Sequence, residues 1–247
     1  MDPIIKSARI EKSAVTEADL EKINRFTLKT LEASEVFCFN VVLCGNAIDR
    51  AFERFTDKSL EDMAALYVGR TVIKDHAHRL DGQIARIYDT WIEDGEDGYK
   101  QLRASCYMVR TASNADLIRD IEGGIKQEGS VSFSPEHYVC GICQKDNMQG
   151  WCAHWPGVTY RVAGEDKLCT FEIDGVTDVY EFSLVAVPAQ PEAGVCKAYK
   201  ESVKGKAPEE PETEPQTDAE EKKLRERLIK ARIRAFQNKN KKGEPIE

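Results

Sequence analysis

The chain changes character near residue 200, and that break limits how much of it can fold. Residues 207–221 read APEEPETEPQTDAEE, with seven acidic residues between Glu209 and Glu221, three prolines and no bulky apolar side chain. Such a stretch cannot bury enough surface to offset the entropy of ordering it. Residues 201–217 are therefore expected to be a disordered acidic linker. KKLRERLIKARIRAFQNKNKK (222–242) follows, with ten basic residues and one acidic. Thr217 and Glu220 have capping-box spacing, and Leu224, Leu228, Ala231 and Ala235 recur at helical intervals. Residues 218–247 are read as a basic amphipathic helix and tail. The core must then come from earlier residues: an N-terminal helical segment over 1–35 and a main domain over 36–200.

The 247 residues are 41% hydrophobic and 32% charged, with a formal net charge of −8. That charge argues against non-specific nucleic-acid binding by the whole molecule. No apolar run approaches the roughly 18 residues of a membrane span, and the start, MDPIIKSARIEKSAV, lacks the apolar core of a signal peptide. The expected setting is cytosolic, without membrane contact. Thiols stay reduced there, so eight cysteines point to metal where they cluster and to small buried hydrophobes where they are isolated, as at Cys38, Cys44, Cys106 and Cys196.

Periodicity gives the elements. Thr16 and Asp19 stand at capping-box spacing, and Leu20, Ile23, Thr27, Leu28 and Leu31 extend one face, so a helix is expected over 16–32. VFCFNVVLC (36–44) reads as a buried strand and DKSLEDMAALY (57–67) as a short helix. QIARIYDTWIE (83–93) and YKQLRASCYMV (99–109) flank a Gly- and acid-rich turn and form a hairpin. An amphipathic helix is expected over 112–126, carrying Ala115, Leu117, Ile118, Ile121 and Ile125. SVSFSPEHYVC (130–140) and VYEFSLVAV (179–187) complete the strands. Strands mixed with a few helices, without strict alternation, indicate an α+β or barrel-like domain.

Two segments concentrate groups suited to acyl transfer. IKDHAHRLDGQIARI brings His76 and His78, and GSVSFSPEH brings Ser130, Ser132 and Ser134. A serine hydroxyl needs an adjacent base, histidine titrates near neutral pH, and a carboxylate commonly orients the imidazole. Glu181, alone in an apolar strand, is the candidate acid. Residue chemistry leaves the three serines and two histidines open.

Four stretches, in order, resemble the prohead serine proteases of tailed phages, in the version found in phages of Gram-positive bacteria. They are IDRAFERF, KDHAHRLDGQIARIYDT, IEGGIKQEGSVSFS and YEFSLVAVPAQPEAGV. The resemblance implies Ser130 as nucleophile, His76 as base and Glu181 as the third member. Ser132, on the same strand face as Ser130, stays the rival serine and His78 the rival base, and Arg86 is expected near the site. Ser132 stands where that family usually has glycine, and Gly129 where an aliphatic residue is common. The resemblance also implies a small closed β-barrel flanked by helices, as in the herpesvirus assemblins. It further implies cleavage of major capsid and scaffold precursors, and of the protease itself, inside assembling proheads in the host cytoplasm. A homo-oligomer is compatible with it. The competing expectation is a non-enzymatic assembly protein with a degenerate protease fold. The basic helix would suit either as a detachable targeting segment.

Cys140-x2-Cys143-x8-Cys152-x-His154 is the second constellation. A CxxC turn places two thiolates on one ion, and tetrahedral zinc accepts Cys and His together. Residues 139–170 are read as a zinc-binding insert with Cys140, Cys143, Cys152 and His154 as ligands, and Cys169 as the alternative fourth. Four protein ligands leave no open position for water, so the zinc is structural and catalysis requires no cofactor. No HExxH occurs, which removes the usual metalloprotease signature.

Overall fold

A computed structural model describes residues 15–190 and 193–195. The chain divides into two units at Lys200/Glu201, and all described residues lie in the first. The expected linker, the basic helix and Cys196 lie outside the described residues.

The first element is α1 (Glu17–Asn24). Its capping box forms as expected: Thr16 Oγ1 accepts from the Asp19 N–H, and the Asp19 carboxylate accepts from the Thr16 N–H. The helix is half the length that periodicity suggested. Asn24 ends it by turning its amide onto the backbone of Leu31, donating to Leu31 O and accepting from Leu31 N–H at 2.8 Å. Leu31 is thereby buried, while Leu28 stays in solvent.

The strands β1 (Val36–Gly45), β2 (Glu53–Phe55), β3 (Thr71–Lys74), β4 (Ala85–Asp94), β5 (Lys100–Val109), β6 (Gly129–Cys140), β9 (Phe171–Leu184) and β10 (Gly194–Val195) form one eight-stranded sheet. Its order is β10-β1-β5-β4-β3-β9-β2, with β6 paired to β9 on the remaining edge. The sheet curls into a half-barrel, so the unit is mixed α+β. Strand β9 organises one side. Its first three residues pair in parallel with β2, its last four residues pair in parallel with β3, and most of its length pairs antiparallel with β6. The 83–93 and 99–109 segments form the expected antiparallel hairpin. The start of β6 reaches β10 through the Gly129 N–H to Ala193 O bond at 3.0 Å and a Glu128–Gly194 bridge.

Inward-facing residues of the curled sheet, among them Phe39, Val41, Leu43, Ile87, Leu102, Val179 and Phe182, form the main core with α2 (Asp57–Tyr67) and α3 (Ala115–Glu122). α2 begins on Thr56, whose hydroxyl accepts the Ser59 N–H, and buries Leu60, Met63 and Tyr67. α3 buries Leu117, Ile118 and Ile121, but it stops at Gly123, three residues before the expected end, and Ile125 is 73% exposed. α1 covers the outer face, where Ile23 meets Tyr88 and Tyr107. Cys44 and Cys106 are buried as small hydrophobes, while Cys38 is half-buried.

Two contacts lock the sheet near its seam. Gln190 sets its buried amide against β1, accepting from the Gly45 N–H at 2.7 Å and donating to Gly45 O at 3.0 Å, as a paired strand would. At Gly129 a Cβ would lie 2.0 Å from the ring of fully buried Phe182, which explains why a glycine stands there. Gly129→Ala is expected to destabilise the unit by about 1–3 kcal/mol through overpacking, read as a thermal midpoint several degrees lower.

Candidate functional site

One row of the sheet builds the site. Register places Arg86, Thr71, Glu181 and Ser132 opposite one another across β4, β3, β9 and β6, and sets Ser130 opposite Ser183 in the adjoining row. Directly opposed residues share a face, as do residues two apart. Ser130, Ser132, Glu181 and Ser183 therefore project to the same side. Tyr180 is the extra residue of a β-bulge, because Ser132 pairs with Glu181 while Phe133 pairs with Val179. A bulge re-aims its neighbours, and here it sits beside the carboxylate.

His76 arrives from the loop after β3. The chain leaves the strand through two consecutive left-handed residues, Asp75 at φ 51° and His76 at φ 52°. Asp and His are among the non-glycine residues that tolerate this region best, so the Asp-His pair has a backbone role beside its chemical one. The turn is held by Asp75 N–H to Leu184 O at 3.0 Å and by the His76 N–H donating to Ser183 Oγ at 3.0 Å.

The side chains then meet. His76 Nδ1 lies 2.7 Å from Glu181 Oε1, and Ser132 Oγ donates to the same oxygen at 2.6 Å. Ser183 Oγ donates to Glu181 Oε2 at 2.6 Å. Glu181 is 1% exposed, whereas the His76 side chain is 39% exposed. A carboxylate oxygen only accepts, so Nδ1 carries the proton in this contact and Nε2 is the nitrogen left to act as a base. Ser132 Oγ is 3.2 Å from Nδ1, on the wrong nitrogen for handing over its proton. On the inner side, the Tyr67 hydroxyl donates to the carbonyls of Glu181 and Ser132, at 3.3 and 3.4 Å.

Each sequence candidate can be placed. His76 and Glu181 are in contact, with Ser132 on the carboxylate. Ser130 is half-buried on the same face and makes no side-chain hydrogen bond among the described residues. His78 is exposed and is not drawn into this network. Arg86 is engaged elsewhere, donating to Gly69 O at 2.6 Å. Ser134 turns to the Tyr180 hydroxyl at 2.5 Å. Ser183 was not singled out from the sequence. The available signal was a hydroxyl two residues from Glu181 in an otherwise apolar strand.

The cysteine constellation also comes together. The ligand atoms of Cys140, Cys143, Cys152 and His154 all lie within 4.8 Å of one another, a spacing suited to a tetrahedral ion whose sulfurs sit about 2.3 Å from the metal. The donor set fits a metal in a second way: His154 Nδ1 is buried without a hydrogen-bond partner. Burial alone would raise the Cys140 thiol, but the N–H groups of Cys143 and Ile142 and the neighbouring Cys152 and Cys143 thiols bring it below the usual range. This Cys3His cluster can hold a metal ion such as zinc. Cys169 lies against it, fully buried, and burial, with the nearby Cys140, pushes its thiol up to about 12.

Local structure explains the convergence. Cys140 ends β6, its N–H donating to Lys145 O at 3.0 Å, and Gln144 closes the CxxC turn at φ 61°. Asp146 ties the insert back by accepting from the Tyr138 and Met148 N–H groups and pairing with His137 at 2.8 Å. Asn147 Oδ1 fixes the Cys152 N–H at 2.8 Å. Beyond it a small hairpin, β7 (Thr159–Val162) and β8 (Glu165–Leu168), returns the chain to Cys169.

Comparison of the chain with protein-family models, with curated proteins and with solved structures gives no match. Among the described residues no helix is long and apolar enough to cross a membrane. For the metal cluster, protein purified under reducing conditions with zinc supplied is expected to carry it stoichiometrically. Cys140→Ser should lose the metal, checked by elemental analysis, and chelation should lower the thermal midpoint of the wild type but not of the variant.

Proposed function

We propose that the chain is a serine endopeptidase of the prohead-protease kind, cleaving capsid and scaffold precursors and itself inside assembling proheads in the host cytoplasm. The observation that carries this reading is the 2.7 Å contact between His76 Nδ1 and the buried carboxylate of Glu181. It fixes the imidazole and leaves Nε2 free to act as a base. The four ordered stretches support the same reading, since they supply the segments that bear His76, Ser130 and Glu181.

In this mechanism His76 Nε2 takes the Ser130 proton as Oγ attacks the scissile carbonyl carbon. The tetrahedral adduct collapses, the peptide C–N bond breaks, and the leaving amine takes that proton from the imidazolium. Water then enters and its oxygen attacks the acyl carbon while Nε2 takes its proton; the C–Oγ bond breaks, Ser130 Oγ takes that proton back from the imidazolium, and the acid product leaves. Glu181 stabilises the imidazolium formed in both halves. Ser130 is preferred to Ser132 because the Ser132 hydroxyl is committed to Glu181 Oε1 and faces Nδ1. The hydrogen bonds that carry β6 to β10 support extending the proposal to an assemblin-like closed barrel. Zinc held by Cys140, Cys143, Cys152 and His154 would order the insert without taking part in the chemistry.

A fluorophosphonate probe followed by mass spectrometry of the labelled peptide tests the assignment. Modification is expected at Ser130 and should disappear in His76→Ala. On co-expression with the capsid precursor, Ser130→Ala should reduce cleavage by at least about 10³-fold. Labelling at Ser132 would reassign the nucleophile. Absence of both labelling and cleavage in the wild type would favour a non-enzymatic assembly role.

A further inference from the structure

We infer that Ser132 and Ser183 are positioning residues, a pair of hydroxyls that clamp the Glu181 carboxylate so that one oxygen meets His76 Nδ1. This rests on the hydrolase reading of the same site and adds two groups to it. The Glu181 carboxyl is 1% exposed, and its hydrogen bonds come from side chains: Ser132 Oγ on Oε1, Ser183 Oγ on Oε2, and His76. A carboxylate so buried holds its rotamer only if both oxygens are met, since an unmet buried charge is strongly disfavoured.

The two hydroxyls do different things. Ser183 is fully buried and serves two groups at once: it donates to Oε2 and accepts the N–H of His76 itself. It therefore couples the acid to the left-handed turn that carries the base. Ser132 is half-buried at the mouth of the site and shares Oε1 with the imidazole. It restrains the plane of the carboxylate and provides a second oxygen near the Nδ1 proton. Neither touches the reacting carbonyl. Their effect passes through the orientation of Glu181 and His76, so it should appear in the rate of nucleophile activation while leaving substrate affinity alone.

The test compares Ser132→Ala, Ser183→Ala, Ser132→Thr and Ser183→Thr in the full chain. One readout is the rate of Ser130 modification by a fluorophosphonate, and a second is the downfield proton resonance of His76 Nδ1. Each alanine variant is expected to slow labelling about 10- to 100-fold, the rate equivalent of one hydrogen bond to a charged group. Its Nδ1 resonance should shift, and the threonine variants should recover most of the rate. Ser132→Ala removes a half-buried hydroxyl and leaves Oε1 still met by His76 Nδ1, so it should fold with a modestly lower thermal midpoint and decides the matter if Ser183→Ala fails to fold. Wild-type labelling rate and an unmoved resonance in Ser132→Ala would overturn the clamp. Failure of the wild type to label would instead count against the hydrolase reading, and the resonance comparison would still decide whether the hydroxyls orient the pair.

Discussion

A carboxylate at the bottom of a sheet has to be met on every side, and Glu181 sets the terms for its surroundings. Its cost of burial, several kcal/mol for an ion removed from water, is offset only by well-placed donors. That requirement accounts for Ser183 within an apolar strand, for Ser132 across the ladder and for the unusual path of the Asp75–His76 turn. Two consecutive residues at positive φ cost on the order of 1–3 kcal/mol each. The turn persists because both its N–H groups are bound, one to Leu184 O and one to Ser183. Strain, burial and hydrogen bonding thus converge on one short stretch of β9.

The sequence made the strands legible because their side chains are β-branched or aromatic and are bounded by turn residues. The 36–44, 83–93, 99–109 and 130–140 segments all emerge as strands within a few residues. Helix ends were less legible, since they depend on local competition that periodicity ignores. Asn24 captures the backbone of Leu31 and stops α1, and Gly123 stops α3. The first half of β9, FEIDGVTD, was not singled out: Phe171 to Asp174 alternate apolar and polar, but Gly175, at φ 65° in the fold, cuts the pattern to four residues. It is a strand because β2 and β6 flank it, a pairing between distant segments that no local window contains.

The site was legible at the level of residue type but not of wiring. A histidine after an aspartate, a glutamate in an apolar strand and three serines two residues apart were visible as chemistry. Which serine meets which nitrogen depends on the register of β6 against β9 and on the bulge at Tyr180. The cysteine constellation was easier, because a CxxC turn carries its geometry with it. Even there, the choice between His154 and Cys169 depends on how the β7–β8 hairpin returns the chain.

The Gln190–Gly45 pairing joins residues 145 positions apart. Contacts of such separation form late, after shorter loops have closed. On the ribosome the chain can assemble β1, the β4–β5 hairpin and α2 well before β9, Gln190 and β10 have emerged. His76 has then been synthesised more than a hundred residues before the acid that orients it. The growing polypeptide consequently passes most of its synthesis without the His76–Glu181 contact, which can form only once β9 has been made.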